Sequence, residues 1–197
     1  MSPDLFVGAF LMDMMNLIDK IKQIKETKSL VLIGIDGPCA SGKTTLADKL
    51  AYELDAQVIR ADNFFLPFDM KTPDRLSQAG GNIHYERFKE EVVRGIESGK
   101  AFEYGIYNCS LGTITERKTV IPEGIVIIEG SYSLHPKMGL GYDLRIFVEA
   151  PLDLRLERIL NRNGKEKLEV FKEKWIPMEN AYFDFYKIKE NCDIVID

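Results

Sequence analysis

Leu30-Val-Leu-Ile-Gly-Ile-Asp-Gly-Pro-Cys-Ala-Ser-Gly-Lys-Thr-Thr45 is the stretch on which the reading of this chain turns. Its opening, Leu30 to Ile35, is a short continuous apolar run, the pattern of a strand buried on both faces. Gly37 to Thr44 then fits G-x-x-x-x-G-K-[ST], and Lys43 to Leu54 continues as a helix. That composition between a buried strand and a helix is a P-loop. Gly37 and Gly42 let the backbone fold around a phosphate with no side chain in the way. The amides around Ala40, Ser41 and Gly42 then point at the anion, with the start of the helix behind them. Lys43 is expected to reach the β- and γ-phosphates and Thr44 to offer its hydroxyl to Mg²⁺. Thr45 either contacts the α-phosphate or simply sits in the first helical turn. The implied ligand is ATP or GTP with Mg²⁺.

Outward from this stretch the alternation continues. Gln57-Val-Ile-Arg-Ala61 is a weaker strand ending at Asp62, Gly124-Ile-Val-Ile-Ile-Glu129 and Leu144-Arg-Ile-Phe-Val148 are apolar strands, and Asp193 to Ile196 is a last one. Helices are expected over residues 5–26, over 85–98 (closed by Gly99) and from Pro151 to about Asn163, followed by a charged helix broken near Pro177. The first of these carries Leu11, Met14, Met15, Ile18 and Ile21 at spacings of three and four. Phe64 to Asn82 reads as loop, and Phe102 to Tyr107 with Thr113 to Val120 as an extended pair around Gly112. The whole implies an α/β fold, a mainly parallel sheet covered on both faces. Ligands in such sheets bind at the carboxyl ends of the strands, so Asp36, Asp62 and Glu129 are expected to converge on one site.

Three further groups are candidates for chemistry. Glu129 precedes Gly130 at the end of an apolar strand, where it is either a Walker-B acid serving Mg²⁺ or an exposed strand-end acid. Asp62 is either a base for an attacking hydroxyl or a turn aspartate. Arg155, Arg158 and Arg162 share a helix face; they close over phosphates or form a solvated stripe with Asp153 and Glu157. Cys39 has no base marked for it and reads as a loop residue. His84 and His135 lack metal-ligand spacing.

With 26 basic against 31 acidic residues, net charge −5, the chain lacks the positive field that duplex nucleic acid demands. Three scattered cysteines form neither a disulfide framework nor a zinc site and suit a reducing cytoplasm. The patch from Leu5 to Met12 has no basic residue before it, and no stretch approaches the length of a membrane span, so no membrane partner is expected. Residues 1–29 read as an amphipathic helix packed on a domain of residues 30–197. The same helix could serve a homo-oligomer contact.

Together, Gly34 to Thr45, Asp62-Asn-Phe-Phe65, Ile127-Ile-Glu-Gly130 and the arginine helix 155–162 resemble the uridine kinase and phosphoribulokinase family of P-loop kinases. The resemblance implies a five-stranded parallel sheet with a helical lid over about 155–175, and transfer of the γ-phosphate of ATP to an alcohol of a small molecule. It implies Asp62 as catalytic base, Thr44 and Glu129 at Mg²⁺, and Arg158 and Arg162 as lid arginines. The acceptor end departs from the family pattern. Asn82-Ile-His-Tyr85 carries His84 where uridine kinases have an aspartate for the ribose hydroxyls, and no histidine follows Tyr107-Asn108 to lie against a uracil ring. Asn163 replaces an aspartate common after the lid arginine. Asp62-Asn-Phe-Phe-Leu-Pro67 is also similar to the Asp-Asp-Phe-Phe-x-Pro segment of nicotinamide riboside kinases. Phe64, Phe65, His84, Tyr85 and Tyr107 are the expected acceptor contacts. A nucleoside is the first acceptor class; nicotinamide riboside, pantothenate or a sugar is the second. A nucleotide-dependent regulatory ATPase is the remaining reading, against which the long aromatic loop 64–84 looks built to enclose a small acceptor.

Overall fold

The computed structural model describes residues 3–197, with side chains from Met14 onward. Five strands form one parallel sheet: β1 (Leu30–Asp36), β2 (Gln57–Arg60), β5 (Gly124–Glu129), β6 (Leu144–Val148) and β7 (Ile194–Ile196), in the order β2-β5-β1-β6-β7. β1 lies at its centre, with Ile33 level with Ile127 on one side and Leu144 on the other. The other two strands, β3 (Phe102–Asn108) and β4 (Thr113–Val120), pair antiparallel as a separate hairpin. This is the doubly covered sheet that the alternating sequence pattern predicts.

Strand periodicity divides β1 between two cores. Val31, Ile33 and Ile35 point to one face and pack with Leu46 and Leu50 of α2 (Lys43–Leu54) and with Leu17 and Ile21 of α1 (Pro3–Thr27). Leu32 faces the opposite core, with Val126, Ile128, Phe64, Phe88, Tyr104 and Tyr182. Asp36 is in phase with Leu32, so the pleat sends a carboxylate into that second, aromatic-rich side. The buried stripe of α1 differs from the predicted one: Leu17 and Ile21 form it, flanked by Met14, Ile18 and Ile24, while Met15 is 65% exposed. The side chain of Leu11 and the patch from Leu5 to Met12 lie outside the described residues. No described helix is long and apolar enough to cross a membrane.

The segment expected to be loop contains short helical turns, among them α3 (Pro73–Leu76). Residues 85–98 are one continuous helix: α4 (Tyr85–Phe88), a π-turn at Lys89–Val93 and α5 (Arg94–Ser98). α6 (Leu152–Asn163) ends at Gly164, whose φ of 83° belongs to the left-handed region open to glycine. α7 (Lys165–Val170), a π-turn at Phe171–Trp175 and α8 (Ile176–Tyr186) then run without interruption.

The expected break near Pro177 is therefore absent. Proline removes an N–H donor and crowds the preceding turn, which normally ends a helix. Here Ile176 N–H bonds to the Phe171 carbonyl, five residues back. The hydrogen-bond register changes at Pro177, and the missing donor falls where the ladder is already interrupted. Pro177→Ala is accordingly expected to change unfolding free energy by less than about 1 kcal/mol in urea titrations. A gain of about 3 kcal/mol, the ordinary relief on removing an interior helix proline, would show that the π-turn does not absorb it.

Candidate active site

The P-loop is held from behind by two buried carboxylates. Asp36 is fully buried; its Oδ1 accepts the amides of Gly37 (2.7 Å) and Tyr132 (3.2 Å), and its Oδ2 the Leu134 amide and Tyr182 hydroxyl, each at 2.9 Å. Burial pushes its pKa up to about 6, against the pull of these bonds and of Lys43. Glu179, from α8, accepts the Cys39 amide at 2.9 Å and the Ser131 hydroxyl at 2.8 Å. Arg155, from α6, donates to the Cys39 carbonyl at 2.9 Å and lies 3.9 Å from Glu179. Residues 140 apart in the chain thus fix one loop.

The front of the loop is shaped for an anion. Gly37 has φ 140°, and a Cβ there would stand 2.0 Å from the Val148 carbonyl oxygen, so no larger residue fits. Ala40 adopts φ 60°, strain that is characteristic of a functional loop. The Ser41 hydroxyl is buried with no hydrogen-bond partner. Lys43 is buried, its Nζ donating to the Pro38 carbonyl at 2.9 Å. Arg158 donates to the carbonyls of Ala40 (2.9 Å) and Ser41 (3.2 Å). A cleft of about 670 Å³ opens over this surface, lined among others by Gly42, Thr45, Pro151, Leu154, Arg158 and Arg162.

Glu129 closes β5 beside the P-loop helix. Its Oε1 accepts the Thr44 hydroxyl at 2.8 Å and its Oε2 bonds Arg60 at 2.7 Å; Arg60 also holds Asp48 at 2.5 Å. Asp62 follows β2 in a single 3-10 turn, Ala61–Phe64. A Cβ on Gly130 would come within 3.3 Å of Asp62 Oδ1, so the glycine after Glu129 leaves room for this carboxylate. Asp62 is solvent-exposed, although enough protein crowds around its carboxylate to desolvate it in part. Desolvation raises its pKa to about 6; Lys43 and Arg162 pull it down, while Glu129 and Glu179 push it up. Asp62, Lys43, Glu129 and Arg162 therefore share one electrostatic field at the carboxyl ends of the strands.

Several expected contacts lie elsewhere. Asp36 does not open into the site but braces it from beneath. Phe64 is 0% exposed and packs against Phe88 and Tyr104, with ring centroids 5.0 and 5.6 Å away, so it is core and not an acceptor contact. Tyr85 lies between Arg75 and Lys137, 4.0 and 5.0 Å from its ring, and 5.4 Å from the ring of His135. Phe65 packs at the edge of the core and bridges to Ile83. His84 is half-buried; desolvation and the cations Arg87 and Arg75 lower its pKa, against the opposing pull of Glu86 and Glu91. Arg155 is a buried strut and not part of an exposed stripe. Burial also pushes the Cys39 thiol up to about 11, consistent with a structural loop residue. Sequence reasoning missed Arg60 and Glu179. Neither carries a local signal, because each acts through a partner distant in the chain.

A model of the phosphoribulokinase / uridine kinase family matches residues 32–197. Uridine-cytidine kinase B of Dictyostelium discoideum is 27% identical over 86% of this chain and 75% of its own length. The uridine kinase of Borrelia hermsii is 26% identical over 84% of this chain and 85% of its own length. Among solved structures, a candidate uridine kinase from Bacillus stearothermophilus superposes with a TM-score of 0.64 at 19% identity, covering 92% of this chain and 100% of that one.

Two variants probe this architecture. Glu179→Ala leaves Arg155, the Cys39 amide and the Ser131 hydroxyl buried without their carboxylate, and should lower unfolding free energy by about 3–5 kcal/mol in urea. For Asp62 the folded pKa lies above the ordinary 3.8, so ionisation costs the fold stability. That cost is complete above about pH 6 and disappears as pH falls below 3.8. Asp62→Asn, uncharged throughout, should therefore melt about 2–4 °C higher than the parent at pH 7, a gain kept small by solvent access, and equally with it at pH 3.5.

Proposed function

The chain belongs to the phosphoribulokinase / uridine kinase family of P-loop kinases, and from that premise we propose that it transfers the γ-phosphate of ATP, with Mg²⁺, to a hydroxyl of a small molecule. The observation that carries this reading is Asp62, an exposed carboxylate beside Gly130 and within the field of the P-loop lysine and Arg162. A residue that only capped a turn would gain nothing from that position. The names of the relatives make nucleosides the first acceptor class; nicotinamide riboside, pantothenate and sugars are the second. The setting is read as cytoplasmic, with no nucleic-acid or membrane partner.

The residues present fit nucleotide and metal. The unpartnered Ser41 hydroxyl, the loop amides and Lys43 suit phosphate oxygens. Among the described residues no cluster of three or more acids, histidines or cysteines forms a metal site by itself. Thr44 and Glu129 would hold Mg²⁺ jointly with phosphate oxygens. Bound there, the ion supplies charge neutralisation at the phosphates.

In transfer, Asp62 accepts the proton of the acceptor hydroxyl as its oxygen bonds to the γ-phosphorus and the bond to the departing ADP oxygen breaks. Lys43, Arg158 and Arg162 balance the charge gathering on the transferring group. Positioning and electrostatics carry most of such a reaction. Arg158 is already tethered to the loop carbonyls, which sets its guanidinium at the phosphate end of the cleft.

Asp62→Asn should lower kcat by about 10²–10⁴-fold, the usual share of a general base, with the ATP dissociation constant within about threefold of the parent. ATP consumption across a panel of nucleosides, vitamins and sugars, together with equilibrium nucleotide binding, measures both. The parent's kcat/KM should rise with pH to a plateau above about 6, since the base works ionised. Near-normal turnover by the variant would remove Asp62 from this role.

A further inference from the structure

The wall beyond Asp62 carries two cations that no carboxylate balances. Lys71 follows the short turn Phe68–Met70, and its Nζ lies 5.1 Å from the Phe68 ring centroid and 5.8 Å from that of Trp175. Lys174 stands 4.6 Å from the centroid of the same indole. Among the described residues neither lysine is in an ion pair; all such pairs lie elsewhere. Asp69, two residues before Lys71, acts on Tyr107 instead. Lys71 is half-buried, and desolvation together with the charge of Lys174 pushes its pKa down. Attraction to an aromatic face offsets only part of that penalty.

A second feature of the same wall lacks its partner. Tyr107 is 8% exposed, and its buried hydroxyl has no well-formed hydrogen bond, only a weak approach to the Phe68 backbone. It lies 3.9 Å from the point where a Cβ on Gly112 would stand, and the Phe68 ring is 3.0 Å from that point. The tip of the β3–β4 hairpin, Phe68 and Lys71 thus form one surface. Arg87 ties this surface to the reacting end: it donates to the Asn63 carbonyl next to Asp62 and, at 2.9 Å, to the Gly105 carbonyl of β3, the strand that carries Tyr107.

We propose that the phosphoryl acceptor carries an anionic oxygen group, a phosphate or a carboxylate, and that Lys71, assisted by Lys174 across Trp175, receives it while the acceptor hydroxyl faces Asp62. The inference rests on the kinase reading above and narrows its acceptor. A neutral nucleoside would leave Lys71 desolvated beside a like charge with only its aromatic contacts in compensation. An anion at the same place would offset both unfavourable terms with charge-assisted contacts to the two ammonium groups. The requirement also explains why the acceptor end departs from a nucleoside pattern while the phosphate end keeps the family motifs.

Trp175 is the chain's single tryptophan, so its emission reports on this wall directly. With the P-loop filled by a non-hydrolysable ATP analogue and Mg²⁺, inorganic phosphate and acetate are titrated at constant ionic strength against chloride. A saturable change with phosphate alone assigns a phosphorylated acceptor, and one with acetate alone a carboxylate acceptor. In either case Lys71→Gln should weaken binding at least about tenfold, while Lys71→Arg stays within about threefold. No saturable change with either anion, or a change that survives Lys71→Gln, overturns the proposal. The readout needs no phosphoryl transfer, so its failure leaves the kinase reading standing. That reading falls instead on the turnover of Asp62→Asn.

Discussion

Four hydrogen bonds to one buried carboxylate hold this structure's working end together. Asp36 ends the central strand and gathers the first amide of the P-loop, two amides of the turn after β5, and a hydroxyl from α8. The loop, the strand-end acid Glu129 and the C-terminal helix are thereby placed relative to one another by a single side chain. A buried carboxylate is tolerable only when its lone pairs are occupied, and here they are. Glu179 repeats the device one layer out, tying Cys39 and Ser131 to α8 and, through Arg155, to α6. The backbone of the P-loop can therefore hold the strained conformation at Ala40 without collapsing toward its own side chains.

On that frame the front of the site is deliberately incomplete. Ser41 lacks a partner, Asp62 is held above its ordinary pKa, and Lys43 rests on a loop carbonyl. Each group is poised for a ligand and not for the stability of the bare chain. Arg60 has the opposite character: it neutralises Glu129 and has Asp48 as a second carboxylate partner. The anion-ready lysines at Trp175 extend the same logic to the acceptor side, where the protein supplies charge that its own residues do not balance.

Much of this was legible in the sequence because it is written locally. Apolar runs gave the strands, and a buried strand followed by Gly37 to Thr44 gave the loop and its helix. The carboxylates after β2 and at the end of β5 were marked as candidates by position, and the family resemblance decided between base and turn residue for Asp62. What escaped is non-local. Burial of Phe64 depends on Phe88 and Tyr104, which only folding brings near. Pro177 reads as a helix breaker until the π-turn before it is known. Met15 shares the spacing of the buried residues of α1, but the angle at which the helix meets β1 and α2 selects Leu17 instead. Glu179 is an unremarkable acid in a charged segment until it meets Cys39.

The account's central claim is that phosphate passes to a small hydroxyl compound and not to water. Incubation of the protein with ATP labelled at the γ-phosphate and a deproteinised extract of cell metabolites tests it most directly. The account predicts that label appears in a small-molecule phosphomonoester, retained on anion exchange and released by phosphatase. Label found solely in inorganic phosphate, at a rate indifferent to the extract, would contradict it.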